Sequence, residues 1–334
     1  MSSKLLARFD ALRASGAAAL LAAGLLASCG GGGQITPFAP TRVLAFGDEL
    51  SAIEADGRKY SINAFKQITV NGVLTDDPTA IDCTRNPLWI QTVASNFGLA
   101  LDRCLGTATV ATGQVRAQLG HKVADLPAQV AGVQGAALGE KDLALVMIGM
   151  NDILELYAQY PGVDQGTLLA QAASRGKSLG SQVNALARSG PAVVVLTVPD
   201  IGKSPFALAQ NTSSGDATRA AFITTLVEKF NNSMSVELIN DGRLIGLVYA
   251  DIEIQNMVKF PATYGLVNVV APACLASAAL PGCNTATLVP ADTATSAAAA
   301  TAATWLWTDS LRLSPAGQAR LGVLATTRAR GNPF

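Results

Sequence analysis

A carboxylate, a guanidinium and an amide stand at points of this chain where chemistry could be run. "RVLAF" leads into Gly47, Asp48, Glu49 and Leu50, with Ser51 next; "LVMIG" leads into Met150, Asn151 and Asp152; "WLWT" leads into Asp309, Ser310, Leu311 and Arg312. An asparagine amide beside backbone N–H groups stabilises a developing oxyanion. A glutamate can attack a carbon centre, but its acyl product is an anhydride, and a base must still move protons. Arg312 cannot be that base, because an arginine pKa lies above about 12. His121, in "QLGHKVADLP", is the single histidine of the chain. It reads by default as a solvated loop residue, with recruitment as a base the alternative. Ser51, on a tight turn two positions past Glu49, reads as a capping hydroxyl, and Asp48 and Asp152 as braces for their loops.

The elements that must position these residues alternate along the chain. "RVLAF", "DLALVMIG", "AVVVLTVPD" and "LIGLVYAD" are buried-strand runs, and "TWLWTD" is a final short strand. Trp305 and Trp307 alternate on it and read as core. A long irregular stretch follows "RVLAF". The segments "NPLWIQTVASNFGL", "QGTLLAQAASRGKSLGSQVNALARSG" and "DATRAAFITTLVEKFNNSMSVELI" have helical spacing, and a last helix opens at Ser314 and Pro315 and ends on arginines and Gly331. Such alternation predicts an α/β domain, a mostly parallel sheet with helices on both faces. Sites in these sheets lie at the carboxyl ends of the strands, so one crevice can collect Glu49, Asn151, Asp200 and Arg312.

Taken in order, these segments resemble the SGNH, or GDSL, hydrolase superfamily, and within it the lipase and autotransporter-esterase branch. Its first block, glycine, aspartate, serine, leucine, stands here as Gly47, Asp48, Glu49, Leu50; its third, glycine, any residue, asparagine, aspartate, stands as Gly149, Met150, Asn151, Asp152. Its closing aspartate, two residues and histidine stand as Asp309, Ser310, Leu311, Arg312. "TVPDIGKSP" and "FPATYGLVNVVAPAC" resemble further blocks, and the similarity runs from residue 42 to about 330. It implies a three-layer, flavodoxin-like fold. It also puts Glu49 at the nucleophile position, Arg312 at the base position and Asp309 at the position of the triad acid. Asn151 and a glycine of "CLGTATVATG" would supply the oxyanion hole; Gly106 and Gly113 compete for that place, and Gly106 is favoured.

Serine and histidine touch in the parent geometry, so the resemblance implies that Glu49 and Arg312 touch too, with Asp309 on the far side of the guanidinium. It also lets Glu49 turn toward Asn151 and fill the oxyanion hole itself. The leading expectation is a pseudoesterase that has lost its serine and histidine chemistry and keeps a crevice for an acylated or glycan ligand or a protein partner. The alternative is an active ester hydrolase, acting on acyl or acetyl esters through an unusual site. A decayed duplicate of an esterase is the third reading.

The start of the chain bears on compartment. Lys4, Arg8 and Arg13 precede the short apolar core "GAAALLAAGLL", a secretory signal too short to span a bilayer. Leu26, Ala27, Ser28 and Cys29 resemble a bacterial lipobox. The expected organisation is a signal peptide over 1–28, a lipidated Cys29 with a flexible tether over 29–41, and a single domain over 42–334. Gly30 after the cysteine fits sorting to the outer membrane of a Gram-negative host. The membrane, reached through Cys29, is then a partner. With 24 basic and 24 acidic residues the net charge is zero, which gives no electrostatic reason for nucleic acid as a partner. Cys83, Cys104, Cys274 and Cys283 are even in number in an exported chain, and loop closure favours pairing Cys83 with Cys104 and Cys274 with Cys283 among three possible pairings. With one histidine, no metal site is expected, and no cofactor.

Overall fold

The computed structural model describes residues 38–294 and 298–331. Cys29, the signal segment and the first part of the tether lie outside the described residues. In chain order the strands are β1 (Arg42–Gly47), β2 (Phe65–Val70), β3 (Val73–Ile81), β4 (Gly113–Val115), β5 (Asp142–Met147), β6 (Ala192–Leu196), β7 (Ile245–Val248), β8 (Asn268–Pro272) and β9 (Trp305–Trp307). The α-helices are α1 (Trp89–Asn96), α2 (Leu126–Ala131), α3 (Met150–Tyr157), α4 (Gln165–Arg188), α5 (Pro205–Ser214), α6 (Arg219–Glu237), α7 (Ala250–Lys259) and α8 (Pro315–Gly331).

Five strands form one parallel sheet in the order β4-β1-β5-β6-β7. Every residue of β5 and β6, and every residue of β1 after Arg42, is buried. Successive strand residues point to opposite faces, so burial of all of them means that both faces are covered. The domain is therefore α/β with helices flanking the sheet on both sides. The order also fixes where the chain reverses: β1 lies between β4 and β5, and connections leave it in opposite directions. A crevice opens at the carboxyl ends of strands at such a point.

Helix α4 packs along α6, and two interior glycines permit it. A Cβ on Gly176 would lie 2.1 Å from the Phe230 carbonyl oxygen, and one on Gly180 would lie 2.8 Å from that of Met234. Glycine in a helix costs roughly 1 kcal/mol against alanine, and the close approach of the two backbones is what it makes possible here. Asp164 caps α4 by accepting from the Thr167 N–H at 2.9 Å.

Two features lie outside the main sheet. The segment read as irregular contains a hairpin, β2 with β3, turned at Asn71 and Gly72, which have φ of 51° and 78°. Asn-Gly with both residues at positive φ is the turn that suits a twisted hairpin. The short strand β9 is present, but it pairs in parallel with β8 instead of joining the central sheet. Its two tryptophans serve two cores. Trp307 packs in the main one, whereas Trp305 joins Ile62, Ala300 and the Cys274–Cys283 disulfide in a smaller cluster. The second disulfide is Cys83–Cys104, so both pairs join cysteines near in sequence, as loop closure favours.

Candidate functional site

The site starts from Gly47, the last residue of β1. Its φ is +150°, and a Cβ there would lie 2.1 Å from the Met147 carbonyl oxygen of β5, so only glycine lets the two strands end side by side. Gln129 of α2 holds this strand end in place. Its Oε1 accepts from the Gly47 N–H and its Nε2 donates to the Gly47 carbonyl, both at 2.8 Å. The chain then turns inward, and Asp48 and Glu49 are both buried.

These neighbouring carboxyls are treated in opposite ways. Asp48 accepts the Leu50 N–H at 3.1 Å, but burial, followed by the adjacent charge of Glu49, pushes its carboxyl well above the ordinary aspartate range. Burial acts on Glu49 as well. There it is outweighed by hydrogen bonds from Asn151, Arg312 and the residue's own backbone, together with the Arg312 charge, and the carboxyl is held below its usual value. Burial favours the neutral form of Asp48, whereas its partners favour the ionised form of Glu49. Separations of this kind mark sites where protonation states are set by environment.

Glu49 uses both oxygens. Oε1 accepts from Arg312 Nη2 at 2.8 Å; Oε2 accepts from Asn151 Nδ2 at 2.8 Å and from the Gly120 N–H at 3.1 Å. Arg312 in turn donates Nη1 to Asp309 Oδ2 at 2.9 Å. Asp309 is fixed by its own turn, since its Oδ1 accepts the N–H groups of Leu311 at 2.9 Å and Arg312 at 2.7 Å. The guanidinium is thus clamped between two carboxylates, and its pKa is raised by Asp309 and Glu49 against the opposing effect of burial. The contact expected among Glu49, Arg312 and Asp309 is present.

Gly106 is not in this cluster. It sits beside Thr84, two residues past Cys104 of the Cys83–Cys104 disulfide, and Gly113 is a residue of β4 whose carbonyl accepts the Asp102 N–H. The backbone donor on Glu49 is Gly120, on the loop after β4. The signal for it was the strand itself: the chain that follows β4 runs along the edge of the crevice, whereas "CLGTATVATG" precedes that strand. Gln129 was also missed, being an amide in the middle of a short helix with nothing in its surroundings to mark it.

The remaining candidates have plain structural roles. Ser51 Oγ accepts from Trp89 Nε1 at 3.0 Å in the core, with no exposure to the crevice. Asp152 accepts the Val123 N–H at 2.9 Å and lies near Arg175. Asp200, at the end of β6, is buried and binds the Gly202 N–H, Thr224 and Gln255. His121 is half-buried, not solvated. Its Nδ1 accepts from Gln129 Nε2 at 2.8 Å and its carbonyl accepts from Asn151 Nδ2 at 3.1 Å, so it braces the site from behind.

A cleft of about 440 Å³ lies on the open side of Arg312 and Asp309, walled by Tyr60, Leu119, Leu275 and Leu280. The Tyr60 hydroxyl donates to Glu54 Oε1 at 2.6 Å, and burial together with that carboxylate pushes its pKa up to about 12. Among the described residues no group of three or more His, Cys, Asp or Glu is placed to hold a metal ion, and no helix is long and apolar enough to cross a membrane.

No family model matches the chain, and no curated protein matches it. The class that the fold and the site define is therefore an α/β domain with a buried, ion-paired carboxylate at the switch point of its sheet.

Proposed function

We propose that this domain has the flavodoxin-like SGNH-hydrolase architecture, has given up ester chemistry, and keeps its crevice for binding. The observation that carries the reading is the position of Glu49 Oε2, on the Asn151 amide and the Gly120 N–H. In an ester hydrolase of that type these two donors serve the oxyanion of the tetrahedral intermediate. Here the protein's own carboxylate occupies them, and Arg312 holds the other oxygen. Attack by Glu49 on an ester would mean leaving both sets of partners, and Arg312 has no proton-accepting form to relay protons. The sheet order β4-β1-β5-β6-β7 supports the fold assignment, because in order of first appearance these strands run second, first, third, fourth, fifth, the flavodoxin-like arrangement.

The ligand class that fits the apolar wall of Leu119, Leu275 and Leu280, which ends at the Arg312 and Asp309 charges, is an acylated molecule, with a glycan ester the other form of the same chemistry. The protein would work as an exported lipoprotein of the outer membrane, held by a lipid on Cys29. Support for this is the segment before residue 30 together with the two disulfides, which belong to an oxidising compartment.

The test is hydrolysis of a panel of short and medium acyl nitrophenyl esters. The natural protein should be inactive and the double variant Glu49→Ser/Arg312→His active. Turnover by the natural protein that disappears in Glu49→Ala would make this an ester hydrolase with a carboxylate at its centre instead.

A further inference from the structure

Among the described residues, the hairpin β2–β3 carries exposed apolar side chains that the crevice does not use. Its outer half is apolar and in solvent: Ile68 is 45% exposed, Val70 46%, Val73 64% and Leu74 66%. Cross-strand partners share a face. Val70 faces Val73 and Ile68 faces Thr75, so one side of the tip presents Ile68, Val70 and Val73, while Leu74 with Thr69 lies on the other. From Gln67 to Thr75 there is no charged residue; charge begins at Lys66 on one strand and at Asp76 and Asp77 on the other. Val70 lies four positions past Lys66, or about 13 Å of strand. The shape is an uncharged tip, apolar on both sides, above a charged collar.

The place where the described chain begins selects the occupant. Phe38 packs edge-on against Phe97, at the end of α1, with ring centres 6.5 Å apart. Neighbours of Phe97, namely Ser95 and Leu99, line a cleft that the hairpin base, Lys66 and Gln67, lines as well, together with Leu105. The hairpin and the first described residues thus share one side of the domain. The links from Cys29 to Phe38 can span at most about 30 Å, whatever their conformation. A lipid on Cys29 therefore keeps Phe38 within about 30 Å of the bilayer. Pairing with a second copy is disfavoured by the edges: β3 carries Pro78, which lacks an N–H, and the register of β2 shifts between Phe65 and Lys66.

We propose that the hairpin tip, Ile68 to Leu74, inserts into the lipid bilayer that anchors the protein, with Lys66, Asp76 and Asp77 remaining at the headgroups. The lipid anchor and the apolar tip together then fix how the domain stands on the membrane, and with it the direction in which the crevice opens. The inference rests on the anchor reading above.

The test uses the full-length protein with Val73→Cys labelled with NBD, the other four cysteines of the fold being held in disulfides. On vesicles of phosphatidylethanolamine and phosphatidylglycerol, emission should rise at least threefold, and nitroxides on the acyl chains should quench it. Adding Ile68→Asp and Leu74→Asp should abolish the rise while the protein stays on the vesicles. Unchanged, water-like emission from vesicle-bound protein would overturn the proposal. So would a concentration-dependent rise without vesicles, which would assign the tip to a second copy. Mass spectrometry of Cys29 reads the anchor separately. If it carries no lipid the anchor reading fails, and the NBD signal of the same protein with Cys29→Ser and added vesicles decides the hairpin alone.

Discussion

Glu49 and Lys59 are both fully buried charged residues, only ten positions apart, and the protein satisfies them by different means. Glu49 has a counter-ion: Arg312 at 2.8 Å, itself neutralised on its other side by Asp309. Lys59 has none in contact among the described residues. Its Nζ donates to the carbonyl oxygens of Cys83 at 3.0 Å, Arg85 at 2.6 Å and Asn86 at 2.8 Å, so three dipoles replace an anion. The consequence appears in their acidities. Burial brings Lys59 down to about 7, with Asp82 opposing only in part, whereas the partners of Glu49 outweigh burial and keep it ionised. A buried charge paired with an ion is stable over a wide pH range; one held by dipoles is not.

The lesson can be broken most severely at Lys59. Lys59→Met takes a donor from three carbonyls at once; that of Cys83 keeps the Gln91 amide at 2.9 Å, and because each of the other two is left unpaired at about 1–3 kcal/mol, chemical denaturation should show a loss of about 4 kcal/mol. Arg312→Ala should follow. It leaves Glu49 buried without its counter-ion, which costs about 3 kcal/mol, the low end of the range for breaking a buried pair because the arginine side chain reaches solvent. Glu49→Gln keeps the shape and the Asn151 contact, and Arg312 keeps Asp309, so urea melts should register only about 1–2 kcal/mol. If Glu49→Gln proves as costly as Arg312→Ala, the Arg312 contact of Glu49 and not its bonds to Asn151 and Gly120 holds the turn.

The pH dependence sharpens the same contrast with smaller effects. Lys59 is depressed in the folded state, so the unfolded chain binds the extra proton between about 7 and the ordinary lysine value of 10.5. Stability therefore rises with pH across that window, and the rise should be missing when Lys59→Met is measured alongside. Glu49 is lowered from 4.5, so its contribution is present above that value and lost as the pH falls through the folded one. Relative to Glu49→Gln, the natural protein should lose stability only in acid. Reversed slopes in either comparison would mean that the charges are not held as described.

Much of this was legible in the sequence because residue types constrain it. The apolar runs of β1, β5, β6 and β7 read as buried strands, and the resemblance put Glu49 and Arg312 at positions expected to touch. What was not legible depends on backbone paths. Gly120 was passed over for Gly106 because nothing in a loop's composition says which N–H points inward; only the course of the chain after β4 does. The hairpin went unread although Asn71 and Gly72 carry a turn signal, because its strands mix Thr, Val and Asp without a face that must be buried. The pairing of β9 with β8 was hidden for a similar reason: three residues of strand do not say which sheet they join. Lys59 gave no sign of being buried, since lysine is almost never fully buried unless partnered and its partners are main-chain carbonyls.

The central claim is that Glu49 occupies, with its own carboxylate, a cradle built for an anion. Replacing Glu49 with alanine removes one methylene and the carboxylate, which together have the size of acetate, and leaves Asn151, the Gly120 N–H and Arg312 facing the space. The most direct measurement is the Tm of Glu49→Ala and of the natural protein across a sodium acetate series, with sodium chloride at equal ionic strength as the reference. The account predicts that acetate raises the Tm of the variant in a saturable way and leaves the natural protein unmoved. Equal responses from the two proteins, or none from the variant, would contradict it.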